Sequence, residues 1–245
     1  NTWIIMYKGK LLSIGSNPKI NKSDKADKGF KTAILHLSPH KLSGKNLCPH
    51  ASQGCIQGCL NTSGHGKFDS VQDARLKRSR FFIKDQRGFM NQLEKELQAF
   101  ETHCQKRALK PAVRLNGTSD IPWENIKFPD SLRSWAPLIN IFQAFPMVQF
   151  YDYTKSKKRA LSETLPQNYH LMFSRSEVST HKDIKDIISS KNNVAVVFKN
   201  SIPKTFEGFQ VIDGDQTDLR FLDPKGFVIG LSAKGKAKQD ETGFV

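Results

Sequence analysis

Three of the chain's four cysteines, Cys48, Cys55 and Cys59, fall within twelve residues at a spacing of C-x6-C-x3-C. Pro49, Gly54 and Gly58 interrupt the stretch, and residues of these types break regular structure, so the segment reads as a loop folded back with its thiols converging. Thiolates gathered in this way bind a soft metal or an iron–sulfur cluster, or oxidise to a disulfide. A structural zinc ion takes four ligands, often from C-x2–4-C pairs, so His50 or His65 would have to complete a zinc set here. A [4Fe–4S] cluster held by three cysteines instead leaves one iron open to another ligand. Cys104 stands apart on an apolar helical stripe and reads as a buried structural thiol.

Other polar groups recur where apolar runs end. Asn116, Gly117, Thr118, Ser119 and Asp120 close one run, Asp152 to Lys155 a second, Ser174 and Arg175 a third, Lys199 and Asn200 a fourth, and Asp213 with Asp215 a fifth. A glycine among small polar residues at a strand end suits backbone contact with a ligand. Asp213 and Asp215 are candidates for binding substrate or a base, against the plain reading of an acidic turn. Lys155 is a candidate phosphate contact, against a surface ion pair with Asp152. His36, inside an apolar run, reads as a hydrogen-bonded core histidine. Trp123 is placed either to stack on a base or to pack in the core.

These groups need a framework, and the pattern supplies one. Apolar runs at 32–37, 111–115, 148–153, 170–173, 193–198 and 209–212 read as strands, with a further one at 227–231. Helical texture covers 71–108 with a break near Gly88, where Phe89, Leu93, Leu97, Phe100 and Cys104 form one stripe. Further helices are expected over 131–144 with a kink at Pro137, 157–165 and 180–190. Strands alternating with helices indicate an α/β fold with a parallel sheet, whose C-terminal strand ends carry the site. Residues 1–31 read as a mobile basic N-terminal arm and 32–245 as a single α/β domain. No internal repeat, P-loop or GxGxxG is present.

With 245 residues the chain can bury a full core, and 38 Lys and Arg against 23 Asp and Glu set a net charge of +15. Basic runs lie at 75–80 and 155–159. Such a surface attracts polyanions, so nucleic acid or a nucleotide is an expected partner, beside the plain reading of a solvated basic face. No apolar run approaches the roughly 18 residues of a membrane span, and the start lacks the basic and apolar regions of a signal peptide. A reducing cytoplasm is therefore expected, where clustered cysteines favour metal over disulfide.

Several stretches resemble the phage-encoded gene-product-88 family: 32–37, Cys-Pro-His-Ala-Ser-Gln-Gly-Cys at 48–55, Cys-Leu-Asn-Thr at 59–62, Val-Arg-Leu-Asn-Gly-Thr-Ser-Asp at 113–120, 150–155, 211–215 and 219–224. Together they span most of 32–245. More loosely, a cysteine triad after strand one, a glycine-bearing turn after strand two and polar residues after strand four resemble the radical S-adenosylmethionine (radical SAM) superfamily. That superfamily's usual spacing is C-x3-C-x2-C with an aromatic before the last cysteine, where this chain has Gly58, and its strand-two motif usually ends in Glu, where this chain has Asp120. The resemblance implies a partial (βα)6 TIM-like barrel. It implies a [4Fe–4S] cluster on Cys48, Cys55 and Cys59, with S-adenosylmethionine on the open iron. It places Asn116, Gly117, Thr118, Ser119 and Asp120 against the methionyl group, and Ser174 and Arg175 against ribose or carboxylate. An electron donor would drive cofactor cleavage to a 5′-deoxyadenosyl radical, in the cytoplasm of an infected host. Two other classes remain open: a nucleic-acid-binding protein with a structural zinc, and a phage inhibitor of a host protein.

Overall fold

The apolar runs assemble side by side into one sheet. The computed structural model describes residues 7–15, 29–128 and 139–245. Its strands are β1 (Leu12–Ile14), β2 (Phe30–Leu35), β3 (Lys110–Arg114), β4 (Lys127–Phe128), β5 (Ile139–Asn140), β6 (Gln149–Thr154), β7 (Tyr169–Ser174), β8 (Val194–Phe198), β9 (Thr205–Phe206), β10 (Phe209–Asp213) and β11 (Val228–Ser232). The helices are α1 (Gln53–Gln57), α2 (Asp69–Lys84), α3 (Gln86–Gln105), α4 (Ile141–Ala144), α5 (Lys157–Ala160) and α6 (His181–Ser189). Nine strands form a sheet in the order β1-β2-β3-β6-β7-β8-β11-β10-β9. The strands from β2 to β10 in that order are all parallel, while β1 and β9 cap the two edges antiparallel.

The α/β fold with a parallel sheet is as expected, but the sheet is open, its edge strands unpaired with each other. The last strand is not added at the end: β11 inserts between β8 and β10. Its residues Val228, Ile229 and Gly230 are buried, whereas β10 is half exposed, so the more apolar strand takes the interior place. Gly230 permits this, since a Cβ there would meet Ile202 Cγ2 at 2.4 Å and Val211 Cγ1 at 2.9 Å.

Alternation along the strands sorts residues to two faces. Val113, Phe150 and Leu171 face α2 and α3 in the main core, and Phe173, Val194 and Val228 face α6. Ala112 and Tyr151 face the other way, under Leu219 and Phe221, beside a group formed by Met172, Ala195 and Ile229.

Of the span 131–144 expected as a helix, the described residues begin at Ile139, and only Ile141–Ala144 are helical among them, as α4. Ile139 and Asn140 instead pair with β4, because Asn140 starts the helix as its N-cap in a capping box with Gln143. Residues 129–138, Pro137 among them, lie outside the described residues. The helix expected over 157–165 lasts one turn, with the Ala160 carbonyl taken by Asn192 Nδ2 at 3.3 Å. The break near Gly88 falls at Asp85, whose carboxylate accepts from Gly88 N at 2.8 Å and caps α3. Within the expected N-terminal arm, residues 1–6 and 16–28 lie outside the described residues. Leu11 and Leu12 are buried, their amides held by the Glu96 carboxylate at 2.9–3.0 Å. No helix among the described residues is long and apolar enough to cross a membrane.

Candidate functional site at the strand-end rim

Parallel strands present their C-terminal ends along one rim, and the inward-facing positions there are Arg114, Tyr153, Ser174, Val197 and Leu231. They line a cavity of about 200 Å³ whose wall also carries Cys48, Cys55 and Cys59. The three cysteines expected to converge thus share one cavity wall.

Each cysteine is positioned by a different device. Cys48 Sγ accepts from His40 N at 3.3 Å and faces the Thr118 carbonyl at 3.8 Å. Cys55 lies in α1, where Ser52 Oγ caps its amide at 3.2 Å. Glu177, from the far side of the rim, accepts from Ser52 Oγ at 2.6 Å and Gly54 N at 2.7 Å, anchoring the start of α1. Burial pushes the Glu177 carboxyl up, but these hydrogen bonds outweigh it and hold it below the ordinary range. Cys59 Sγ accepts from Asn61 N at 3.5 Å, and Asn61 is gripped by Gln72 and Arg75 of α2. Gly54 and Gly58 let the C-terminal segment cross the loop: a Cβ on Gly54 would meet Thr242 Oγ1 at 2.3 Å, and one on Gly58 would meet Ala237 Cβ at 3.3 Å.

All four cysteines are free thiols. Burial pushes Cys48 up to about 12 and raises Cys55 and Cys59, the nearby Lys155 and Arg75 pulling back on the latter two respectively. Thiols raised in this way are poor nucleophiles, and a bound cation is what would make them thiolates. Among the described residues no group of three or more His, Cys, Asp or Glu is placed to hold one metal ion. His50 and His65 are exposed and complete no such set. Cys104 is buried in the core on α3.

The 116–120 turn stands opposite. Asn116 is its hub. Its Oδ1 accepts from Ser119 Oγ at 2.8 Å, Ile121 N at 2.9 Å and Trp123 Nε1 at 3.2 Å, and its Nδ2 donates to the Ile121 carbonyl and Asp152. The side chain's bonds are therefore internal. Gly117 is required by packing, since a Cβ there would meet Ile34 Cγ2 and the Leu35 carbonyl at 2.7 Å, and Thr118 Oγ1 donates to the Leu37 carbonyl. Asp120 accepts from Thr154 Oγ1, Lys155 N and Arg159. Burial pushes the Asp152 carboxyl up to about 7 against the pull of Arg114 and the Asn116 amide.

Lys155 does not pair with Asp152. Its ammonium donates to Ser174 Oγ at 2.9 Å and the Arg175 carbonyl at 2.7 Å, and lies 4.6 Å from the centre of the Phe244 ring. Burial lowers it to about 8, while Cys55 and Asp120 pull upward. Arg175 reaches the carbonyls of Gly243 and Phe244 rather than the cavity. Asp215 lines the cavity, accepting from Ser232 N at 2.9 Å and lying 3.3 Å from Lys234 Nζ. Asp213 accepts from Asp215 N at 2.8 Å and lines an outer cleft instead. Trp123 is fully buried against Phe82 and Phe89 and belongs to the core. His36 is half-buried at a second cleft, where burial and Arg75 hold it neutral at about 3.

Glu177, Asp218 and Phe244 carry no periodic or motif signal, and the sequence reading passed over them; Arg114, which pairs with Asp218, lies inside the 113–120 stretch but was given no role. The basic run at 155–159 was legible but misassigned. Lys157 pairs with Asp183 and Asp186, and Arg159 with Asp120 and Glu124, so most of it is internal bracing.

An α/β sheet with a cysteine-lined cavity on its strand-end rim defines the class of protein. The family described as gene product 88 matches residues 10–245, and the chain belongs to that family. No curated protein and no solved structure matches the chain, radical SAM enzymes included.

Proposed function

We propose that the chain is a phage iron–sulfur protein of the radical SAM type, its open sheet a partial (βα)6 barrel. Cys48, Cys55 and Cys59 would hold a [4Fe–4S] cluster, and S-adenosylmethionine would lie across the rim between the 116–120 turn and Ser174. The observation that supports this best is the convergence of three free thiols on one strand-end cavity. A structural zinc needs its donors within about 2.3 Å of one ion, and no such group exists among the described residues. A [4Fe–4S] cluster binds each cysteine thiolate at a different iron, so its ligating sulfurs lie farther apart than those around one zinc.

The chain's own residues fit that role. Lys155 and Arg75 place positive charge toward Cys55 and Cys59, which offsets the charge that ligating thiolates would carry. Asn116 holds the turn rigid, so the turn's backbone rather than this side chain faces the cavity. Ala237 and Phe244 wall the cavity and limit water. When bound, the cluster would pass an electron to S-adenosylmethionine and start radical chemistry on a substrate. A nucleotide or nucleic acid suits the positive charge, with a separate electron donor and the host cytoplasm as setting.

The test is anaerobic purification with iron, sulfide and zinc analysis and an absorption spectrum, on wild type and Cys55→Ala. About four irons and four sulfides per chain, lost in the variant, are expected. One zinc without iron sinks the proposal.

A further inference from the structure

A second cleft, of about 660 Å³, adjoins the cysteine cavity and shares Arg114, Gly117, Thr118 and Lys234 with it as a common wall. Four cationic side chains line it, Arg75, Arg78, Arg114 and Lys234, and no Asp or Glu among the described residues does. Two of the four are balanced: Arg114 pairs with Asp218 at 3.2 Å and Lys234 with Asp215 at 3.3 Å. Among the described residues, Arg75 and Arg78 hydrogen-bond only to neutral oxygens. Arg75 donates to the backbone and side-chain oxygens of Asn61, and Arg78 to the carbonyls of Lys10 and His36.

Arg75 is 7% exposed and its Nε has no hydrogen-bond partner; Ser63 Oγ, in the same wall, is buried and likewise lacks one. A buried guanidinium and a buried hydroxyl left unsatisfied are costly, and an anion in the cleft would satisfy both. Arg75 and Arg78 lie three apart on α2 and so share a face. The first turn of α2 also opens onto the cleft through Ser70 and Val71, and a helix N-terminus carries partial positive charge.

We propose that this cleft binds the phosphate group of a phosphorylated substrate and directs the rest of that molecule over the shared wall toward the cysteine cavity. Two guanidiniums that no carboxylate among the described residues pairs with, a helix end and a hydroxyl offer more than a carboxylate's single charge needs. A phosphate monoester carries roughly −1.5 to −2 at neutral pH and accepts the arginine fork on two oxygens. The direction toward the cysteines rests on the proposed function; the phosphate site does not.

The experiment is calorimetric titration of the full chain with inorganic phosphate, adenosine 5′-monophosphate, adenosine and a short single-stranded oligonucleotide, on wild type and Arg78→Gln. The monophosphate binds and adenosine does not. Arg78→Gln weakens the monophosphate about tenfold or more. If Arg78→Gln loosens the fold, Arg75→Lys gives the same reading, keeping the charge, losing the fork and weakening binding several-fold. An oligonucleotide that outbinds the monophosphate and is weakened by Arg78→Gln identifies the phosphate as that of a nucleic-acid backbone. Equal binding of adenosine and its monophosphate overturns the site, as does a folded Arg78→Gln chain that binds like wild type. Phosphate binding that persists in a chain that takes up no iron separates the two proposals, leaving the site standing and the cluster refuted.

Discussion

Replacing Asn116 by alanine is the sharpest test of how the rim is built. The side chain is 2% exposed and its Oδ1 takes the Ile121 amide at 2.9 Å and the Trp123 indole N–H at 3.2 Å. Alanine leaves both donors buried without a partner, since Trp123 is fully enclosed and Ile121 sits 5% exposed beside it. Each orphaned donor costs about 1–3 kcal/mol, so the pair costs about 2–6 kcal/mol. Against a total stability of about 5–15 kcal/mol, that is a fall in Tm of roughly 10 °C for a chain of this size. Urea titration followed by tryptophan fluorescence reads both the loss and the altered surroundings of Trp123. Asn116→Asp keeps the acceptor but sets a second carboxylate against Asp152, so its deficit grows as pH rises. A midpoint for Asn116→Ala within about 0.5 kcal/mol of wild type, the range of an ordinary surface substitution, would refute the hub.

Two further outcomes follow from the geometry. Glu177→Ala removes the acceptor that holds Ser52 and Gly54; a loss of about 1–2 kcal/mol is expected, together with faster labelling of Cys55 by a thiol reagent, and an unchanged labelling rate would show that Glu177 does not anchor α1. Lys155 binds its proton more weakly folded, at about 8, than unfolded, at 10.5, so its charged form opposes folding and that opposition is relieved as pH rises from about 8 toward 10.5. Lys155→Met lacks this dependence, so the stability of wild type relative to the variant should climb across that window, and a flat difference in urea midpoints would show that the amine is not desolvated.

Much of the framework was legible because it rests on local pattern. Unbroken apolar runs of five or six residues mark strands covered on both faces, and the stripe from Phe89 to Cys104 marks a helix lying on them. That Cys48, Cys55 and Cys59 would lie on one side of a folded-back segment was legible from glycine, proline and spacing, and they share one cavity wall. The Asn116 turn was found for one reason and matters for another. Its glycine suggested approach to a ligand, whereas Gly117 is small because β2 lies against it. Within the helix expected over 131–144, Ile139 and Asn140 are strand instead, because Asn140 caps the helix that starts at Ile141; residues 131–138 lie outside the described residues.

The sequence by itself determined the elements, their apolar faces, the family and the rim on which polar groups would collect. These follow from side-chain size, periodicity and backbone freedom within a few residues. Tertiary structure alone decided that β11 would enter between β8 and β10, that Glu177 would reach across to cap the cysteine helix, and that Phe244 would close over Lys155. It also divided the basic residues into those that brace the fold and those, Arg75 and Arg78, that no carboxylate among the described residues pairs with. Contacts between residues far apart in the chain are set by how the whole core packs, and the net charge of a sequence carries no record of which charges meet.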